Sequence, residues 1–190
     1  DHLANTPKQK LIYESLGWDI PLFAHLPLIH GTDGKKLSKR HGAVGVDHYQ
    51  KMGITAPALK RYLSQLGWDS GNNDLLSIEQ LTKDFKIENI VKSPARFDLV
   101  KLNDICGKVI RNTSDTTLLG QLDQFLEFSK IESLVESKKV MLKKSLHFLK
   151  PRVKNLGELY RQAFFLLQDQ PIKLEENCSK LISEETLSLL

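Results

Sequence analysis

The strongest constraint on the fold is a change in hydrophobic period near Gly45. Before it lies one continuous apolar run in "PLFAHLPLI", from Leu22 to Ile29, which reads as a buried strand. After it, apolar residues return at helical spacing. In "TAPALKRYLSQLGW", Leu59, Tyr62, Leu63 and Leu66 share one face, and Leu156, Leu159, Tyr160, Ala163, Phe164 and Leu167 form a stripe near the end. Such a chain is mainly α, with a short α/β piece at its start. At 190 residues and 41% hydrophobic content it can bury a real core.

Local signals divide the helices. "NTPKQKLIYESLG" carries Thr6 as an N-cap, Pro7 at the first helical position, Gln9 at the capping-box position and Gly17 as a stop. Gly53 and Gly67 mark two further helix ends, and "SGNND" reads as a turn. Ser77 with Gln80 opens "SIEQLTKDF", and Asp98 caps the helix that resumes after Pro94. Beyond Asn112 the helices lengthen into "DTTLLGQLDQFLEF", "IESLVESKKVMLKKSLHFLK" and "PRVKNLGELYRQAFFLLQD". Phe148, Phe164 and Phe165 lie in these apolar patterns and are expected in the core.

Composition excludes several classes. Two cysteines, Cys106 and Cys178, lie far apart without zinc-site spacing, so neither a disulfide framework nor a metal site is expected. The thiols read as core or surface groups in a reducing, cytoplasmic setting. No apolar run reaches the length of a membrane span, and "DHLANTPKQK" lacks the order of a signal peptide. The chain has no initiator Met and ends on the helix-like "SEETLSLL", so it is expected to be a piece of a longer polypeptide.

The net charge of +4 is a modest tilt toward polyanions, and its distribution is more informative. "GTDGKKLSKRHG", from Gly31 to Gly42, sets Lys35, Lys36, Lys39, Arg40 and His41 on a glycine-punctuated loop directly after the apolar run. Glycines let the backbone approach a polyphosphate while ammonium groups neutralise its oxygens. The spacing fails as a Walker A loop, because Gly31 and Gly34 have two residues between them rather than four, and Lys36 precedes Leu37. On charge alone, a solvated turn is an equal alternative. Seven Lys or Arg and no acid fall between Lys138 and Lys154, which fits either an RNA-facing stretch or a solvated helical face.

The detailed string distinguishes these alternatives. "GKKLSKRHGA" closely resembles the KMSKS loop of class I aminoacyl-tRNA synthetases, occupied here by Lys36, Leu37, Ser38, Lys39 and Arg40, in the bacterial glutamyl-tRNA synthetase form. "DHLANTPKQ", "FAHLPLI", "LKRYLSQLGWDSG" and "SPARFDLVKL" follow in the order and spacing that family shows. After "FDLVKL" the chain departs from the family, reading "NDICGKVIRN" where a Trp- or Leu-Asn pair and an aromatic are usual.

The resemblance implies three regions. Residues 1–45 would be the end of a Rossmann-like α/β catalytic domain, 46–110 a stem-contact helical module, and 111–190 the start of an α-helical anticodon-binding region. It implies ATP with Mg2+, glutamate and tRNA(Glu) as substrates of a cytoplasmic, monomeric enzyme, with no membrane partner. Lys36 and Lys39 would be the catalytic cations, Lys39 the best ATP ligand and Ser38 a hydrogen-bond partner, while Arg40 stands where many relatives have Ser. His2 falls in the stretch near the adenine and either lines that pocket or caps the chain surface; His25, lacking an acid or nucleophile, reads as structural. Lys60, Arg61, Lys143, Lys144 and Arg152 are the tRNA-binding candidates. The family's HIGH tetrapeptide does not occur, so the chain by itself is expected to be inactive. The apolar surface of "PLFAHLPLI", which would face a nucleotide-binding sheet outside these residues, is expected to be uncovered. A nondiscriminating or tRNA(Gln)-directed paralogue and a non-catalytic helical RNA-binding module are the alternatives.

Overall fold

The computed structural model describes residues 3–37, 45–68 and 77–168. Its helices are α1 (Thr6–Ser15), α2 (Val46–Lys51), α3 (Ala56–Ser64), α4 (Ile78–Asp84), α5 (Leu99–Asn112), α6 (Asp115–Phe128), α7 (Glu136–Leu149) and α8 (Leu156–Leu167), with single 3-10 turns between some of them. Two short strands, β1 (Ile29–His30) and β2 (Ala95–Arg96), pair in parallel. The chain is mainly α, as its period indicates.

Helix α5 packs most closely on α3 and on the 3-10 turn at Lys150–Arg152. Asp98 caps it by accepting hydrogen bonds from Val100 and Lys101 N–H at 2.8 and 3.2 Å. Leu102, Ile105, Cys106 and Ile110 then recur at helical spacing and are essentially inaccessible to solvent. They share one continuous core with Ala58, Leu59 and Tyr62 of α3, Leu118, Leu122 and Leu126 of α6, Leu142 and Leu146 of α7, and Leu159 and Ala163 of α8. Full burial of each large aliphatic side chain is worth roughly 1.5–3 kcal/mol, so this layer dominates stability.

The helix ends follow backbone chemistry. Gly17 and Gly53 adopt φ of 66° and 81° and close α1 and α2 with paired hydrogen bonds, Trp18 N–H to Tyr13 O and Gly17 N–H to Glu14 O at the first. At Gly53 the equivalent pair is Ile54 N–H to Tyr49 O and Gly53 N–H to Gln50 O. Lys130 does the same for α6 at φ 57°, with Ile131 N–H reaching Leu126 O. Ser77 caps α4 through Gln80 N–H at 3.2 Å.

Several sequence expectations are corrected. Residues 22–28 are not a strand: Pro21 and Pro27 remove ladder donors, no neighbouring strand runs beside them among the described residues, and Leu22 is fully exposed. The run's apolar surface is uncovered at Leu22 and Leu26, whereas Leu28 and Ile29 are half-buried and Ile29 packs against the core. Helix α1 starts one residue earlier than predicted, with Asn5 at the N-cap and Thr6 inside; the Thr6 hydroxyl pairs instead with His25 Nε2 at 3.1 Å. That contact gives an exposed His25 a polar partner that the sequence did not indicate. Helix α7 begins at Glu136 rather than near Ile131, because Lys130 turns the chain out of α6 and Ile131 and Leu134 lie against the core instead. Phe148, Phe164 and Phe165 are 64%, 50% and 58% exposed, so they lie outside the core, and Leu63 also faces outward. The "SGNND" turn, Cys178 and "SEETLSLL" lie outside the described residues.

Candidate functional site

The basic loop leaves β1 through a tight hairpin. Gly34 N–H donates to Gly31 O at 3.1 Å, and Gly31 N–H to Lys35 O at 2.8 Å. Gly34 sits at φ 75°, the left-handed position that closes a three-residue hairpin loop. The Asp33 carboxylate accepts from Lys35 N–H at 3.0 Å, which stiffens the turn from within. The chain then returns antiparallel, with Lys36 opposite His30 and Leu37 N–H donating to Ile29 O at 2.9 Å.

On the other edge, His30 is in register with Arg96 of β2, and Phe97 N–H donates to His30 O at 2.8 Å. Directly opposed residues of paired strands project on the same face. Arg96, His30 and Lys36 therefore form a row of three nitrogen-bearing side chains across the base of the loop. Arg96 and His30 were not singled out as nucleotide ligands from the sequence. The signal that finds them is the pairing of residues 66 positions apart, which no local spacing encodes.

This base is held from below. Leu37 packs against the core. Phe97 meets Tyr62 of α3 edge-on at 5.2 Å between ring centres and Tyr49 of α2 at 5.8 Å. The Tyr62 hydroxyl accepts a hydrogen bond from Asp98 N–H. Burial pushes the Tyr62 phenol up to about 12, so it stays neutral across the working pH range. Lys36 is exposed and Leu37 half-buried. His2, Ser38, Lys39, Arg40 and His41 lie outside the described residues.

The tRNA candidates sit on separate elements. Lys60 and Arg61 are on α3, with Lys60 at a largely apolar groove of about 460 Å³ that also includes Leu63, Gln121 and Phe125. Lys143 and Lys144 are exposed on α7, and Arg152 is exposed in the 3-10 turn before α8. Three other cations of the basic stretch are engaged with acids: Lys139 with Asp123 at 2.6 Å, Lys150 with Asp115 at 2.5 Å and Lys154 with Asp104 at 2.8 Å. These acids come from α5 and α6, so a stretch that reads as uniformly basic along the chain is partly neutralised in space.

The departure at "NDICG" also has a structural account. Asn103 Oδ1 accepts from Asn155 Nδ2 at 2.9 Å, and Asn155 in turn caps α8 through Glu158 N–H at 2.8 Å. Asp104 pairs with Lys154, the Cys106 thiol lies 3.9 Å from the Thr55 hydroxyl, and Gly107 leaves room for the backbone of Val153 and Lys154. Burial pushes the Cys106 thiol up, which leaves it unreactive. These residues seat the segment before α8 on α5. Among the described residues, no group of three or more His, Cys, Asp or Glu is placed to hold a metal ion. No described helix is long and apolar enough to cross a membrane.

A cationic hairpin fixed to a mainly helical body is the class of structure these elements define. Comparison with known families gives the particular one. The model of the tRNA synthetases class I (E and Q), catalytic domain, matches residues 1–104, more than half of the 190-residue chain. The chain belongs to the class I tRNA synthetases of the E and Q type. It is 43% identical over its whole length to glutamate–tRNA ligase 2 of Paracoccus denitrificans and 40% identical to glutamate–tRNA ligase 1 of Cereibacter sphaeroides. It spans 41% and 40% of the lengths of those curated relatives. Among solved structures, it is similar to a glutamate tRNA ligase from Elizabethkingia meningosepticum crystallised in complex with its amino acid, with a TM-score of 0.73 and 26% identity over 99% of this chain and 40% of that one.

Proposed function

We propose that the complete polypeptide is a glutamate–tRNA ligase. The observation that carries this reading is the hairpin at residues 29–37, which presents Lys36 and Leu37, the first two residues of the KMSKS-type string, at the end of β1. Glutamate would attack the α-phosphorus of ATP through its carboxylate, forming glutamyl-adenylate and releasing pyrophosphate. The glutamyl group would then pass to the 3′-terminal adenosine of tRNA(Glu). As the α–β phosphate bridge breaks, negative charge moves onto pyrophosphate, and cations that meet it there lower the barrier more than they tighten ATP. In this reading Lys39 and Lys36 take that role, Ser38 is their hydrogen-bonding neighbour in the string, and His2 either lines the adenine pocket or caps the chain surface. Mg2+ accompanies the ATP as part of the substrate and contributes charge neutralisation when bound.

Residues 1–45 then serve as the end of the catalytic domain, 46–110 as the stem-contact module and 111–190 as the start of the anticodon-binding region. Lys60, Arg61, Lys143, Lys144 and Arg152 supply phosphate contacts, in a cytoplasmic, monomeric enzyme. The test is Lys39→Ala in the complete polypeptide. ATP–pyrophosphate exchange at saturating glutamate, with tRNA present, falls on the order of 100- to 1,000-fold, while tRNA affinity changes little. Equal, small effects on both would remove the catalytic loop from the account. Glutamylation assayed separately on tRNA(Glu) and tRNA(Gln) identifies the acceptor; a preference for the second would indicate a tRNA(Gln)-directed enzyme.

A further inference from the structure

We infer that a second anion site lies beside the loop base, a pocket that takes one phosphoryl group. It is a cavity of about 210 Å³ where the C-terminal end of α3, the segment leading into β2 and the first turn of α5 meet. Arg96 and Lys101 bring two cations to its wall, and Ser93 brings a hydroxyl. Gln65 and Tyr62 close the α3 side.

Three observations point to a phosphoryl group. First, no carboxylate among the described residues lines the cavity. Asp98, just past Arg96 in the chain, is engaged in capping α5 through Val100 and Lys101 N–H. Two cations therefore share the wall with no carboxylate placed on it among the described residues, and the helix terminus is already satisfied without a ligand. Second, Arg96, Lys101 and Ser93 are all exposed, so an anion meets them without prior opening of the fold. Third, the volume is below the range of roughly 300–1,000 Å³ usual for whole small-molecule ligands, so the pocket fits a phosphoryl group whose remainder lies outside it. The edges of the two sites also coincide, because Arg96 belongs both to this wall and to the row with His30 and Lys36.

The inference rests on the proposed ligase function, within which a phosphoryl group can come from two sources. It can belong to the RNA backbone, or to the triphosphate and departing pyrophosphate of ATP. Arg96→Gln, Lys101→Gln and the charge-preserving Arg96→Lys are compared with wild type in the complete polypeptide. One arm measures tRNA affinity across a salt series, and the other measures ATP–pyrophosphate exchange with the KM for ATP.

If the pocket takes an RNA phosphate, each Gln variant weakens tRNA binding about tenfold. It also lowers the slope of log affinity against log salt by about one, leaves the KM for ATP unchanged, and Arg96→Lys restores most of the loss. If it takes a nucleotide phosphate, the KM for ATP or pyrophosphate rises about tenfold while the salt slope holds. Either result supports the site and names its source. Wild-type values on both arms for both Gln variants, or losses matched by a fall in melting temperature, would overturn it. Absence of tRNA binding and exchange in the wild-type enzyme would instead overturn the ligase reading beneath it.

Discussion

Gly53 is the position where one added methyl group should do the most damage. It ends α2 at φ 81°, a conformation that costs an L-residue roughly 1–2 kcal/mol. A Cβ there would lie 2.4 Å from Gly157 N and 3.0 Å from Leu156 N, both backbone atoms of α8. Neither can swing aside as a side-chain tip could, so α8 must retreat by about 1 Å, an overpacking cost of roughly 1–3 kcal/mol. The retreat also strains the Leu156 N–H to Gly53 O bond, now 2.9 Å and worth about 1 kcal/mol. Gly53→Ala is therefore expected to destabilise the chain by roughly 3–5 kcal/mol. Gly67→Ala is the control: its φ of 90° imposes comparable strain, but a Cβ there meets nothing within 4 Å. Urea denaturation followed by far-UV circular dichroism compares the two, and the clash is the difference between them, about 2–3 kcal/mol. Equal losses at both positions would refute the claim that α2 and α8 touch backbone to backbone.

Alkaline stability should carry the signature of Tyr62. Its phenol is raised above 10.0 to about 12 in the fold, so its contribution is fully present below pH 10 and is lost as pH rises from 10 through about 12. The gap in urea midpoint between wild type and Tyr62→Phe should therefore narrow over that window, and a constant gap would show that Tyr62 titrates normally. On α8, Phe164→Ser should change stability by less than about 0.5 kcal/mol, whereas Leu159→Ala, earlier on the same helix and on its inner face, should cost about 2–5 kcal/mol. A loss above 1 kcal/mol at Phe164 would restore that ring to the core.

Helix caps were the most legible features because each is encoded within four residues. Ser77, Asp98, Gly17 and Gly53 all act where their sequence context places them. The failures share a physical cause, which is that a one-dimensional pattern reports hydrophobicity but not what lies opposite. The "PLFAHLPLI" run is as apolar as a buried strand, but two prolines and the lack of a partner ladder among the described residues keep it from being one. Phe164 and Phe165 fit a helical apolar pattern, yet α7 covers the neighbouring face and leaves both rings outside. The loop was legible as a charged, glycine-bearing segment, and its resemblance to a family supplied its meaning. Its lateral neighbours were not legible, because His30 meets Arg96 only through the parallel pairing of β1 with β2.

That pairing determines what the loop can respond to. The stem at Ile29 and Leu37 is packed against a core built from α2, α3 and α5, and its hydrogen bond to Phe97 is steadied by two tyrosines from the same helices. The same core continues through Ile54 and Leu156 into α6, α7 and α8. The proposed divisions at 45/46 and 110/111 mark changes of role along the chain, while the packing runs across both. A force applied to the helices by a bound polyanion would therefore reach the loop base through close-packed side chains, which transmit strain because their interior has little free volume. The joint at Gly53 and Leu156 lies between α2, which follows the loop in the chain, and α8 at the helical end, and its backbone-to-backbone contact leaves no side chain to absorb such strain.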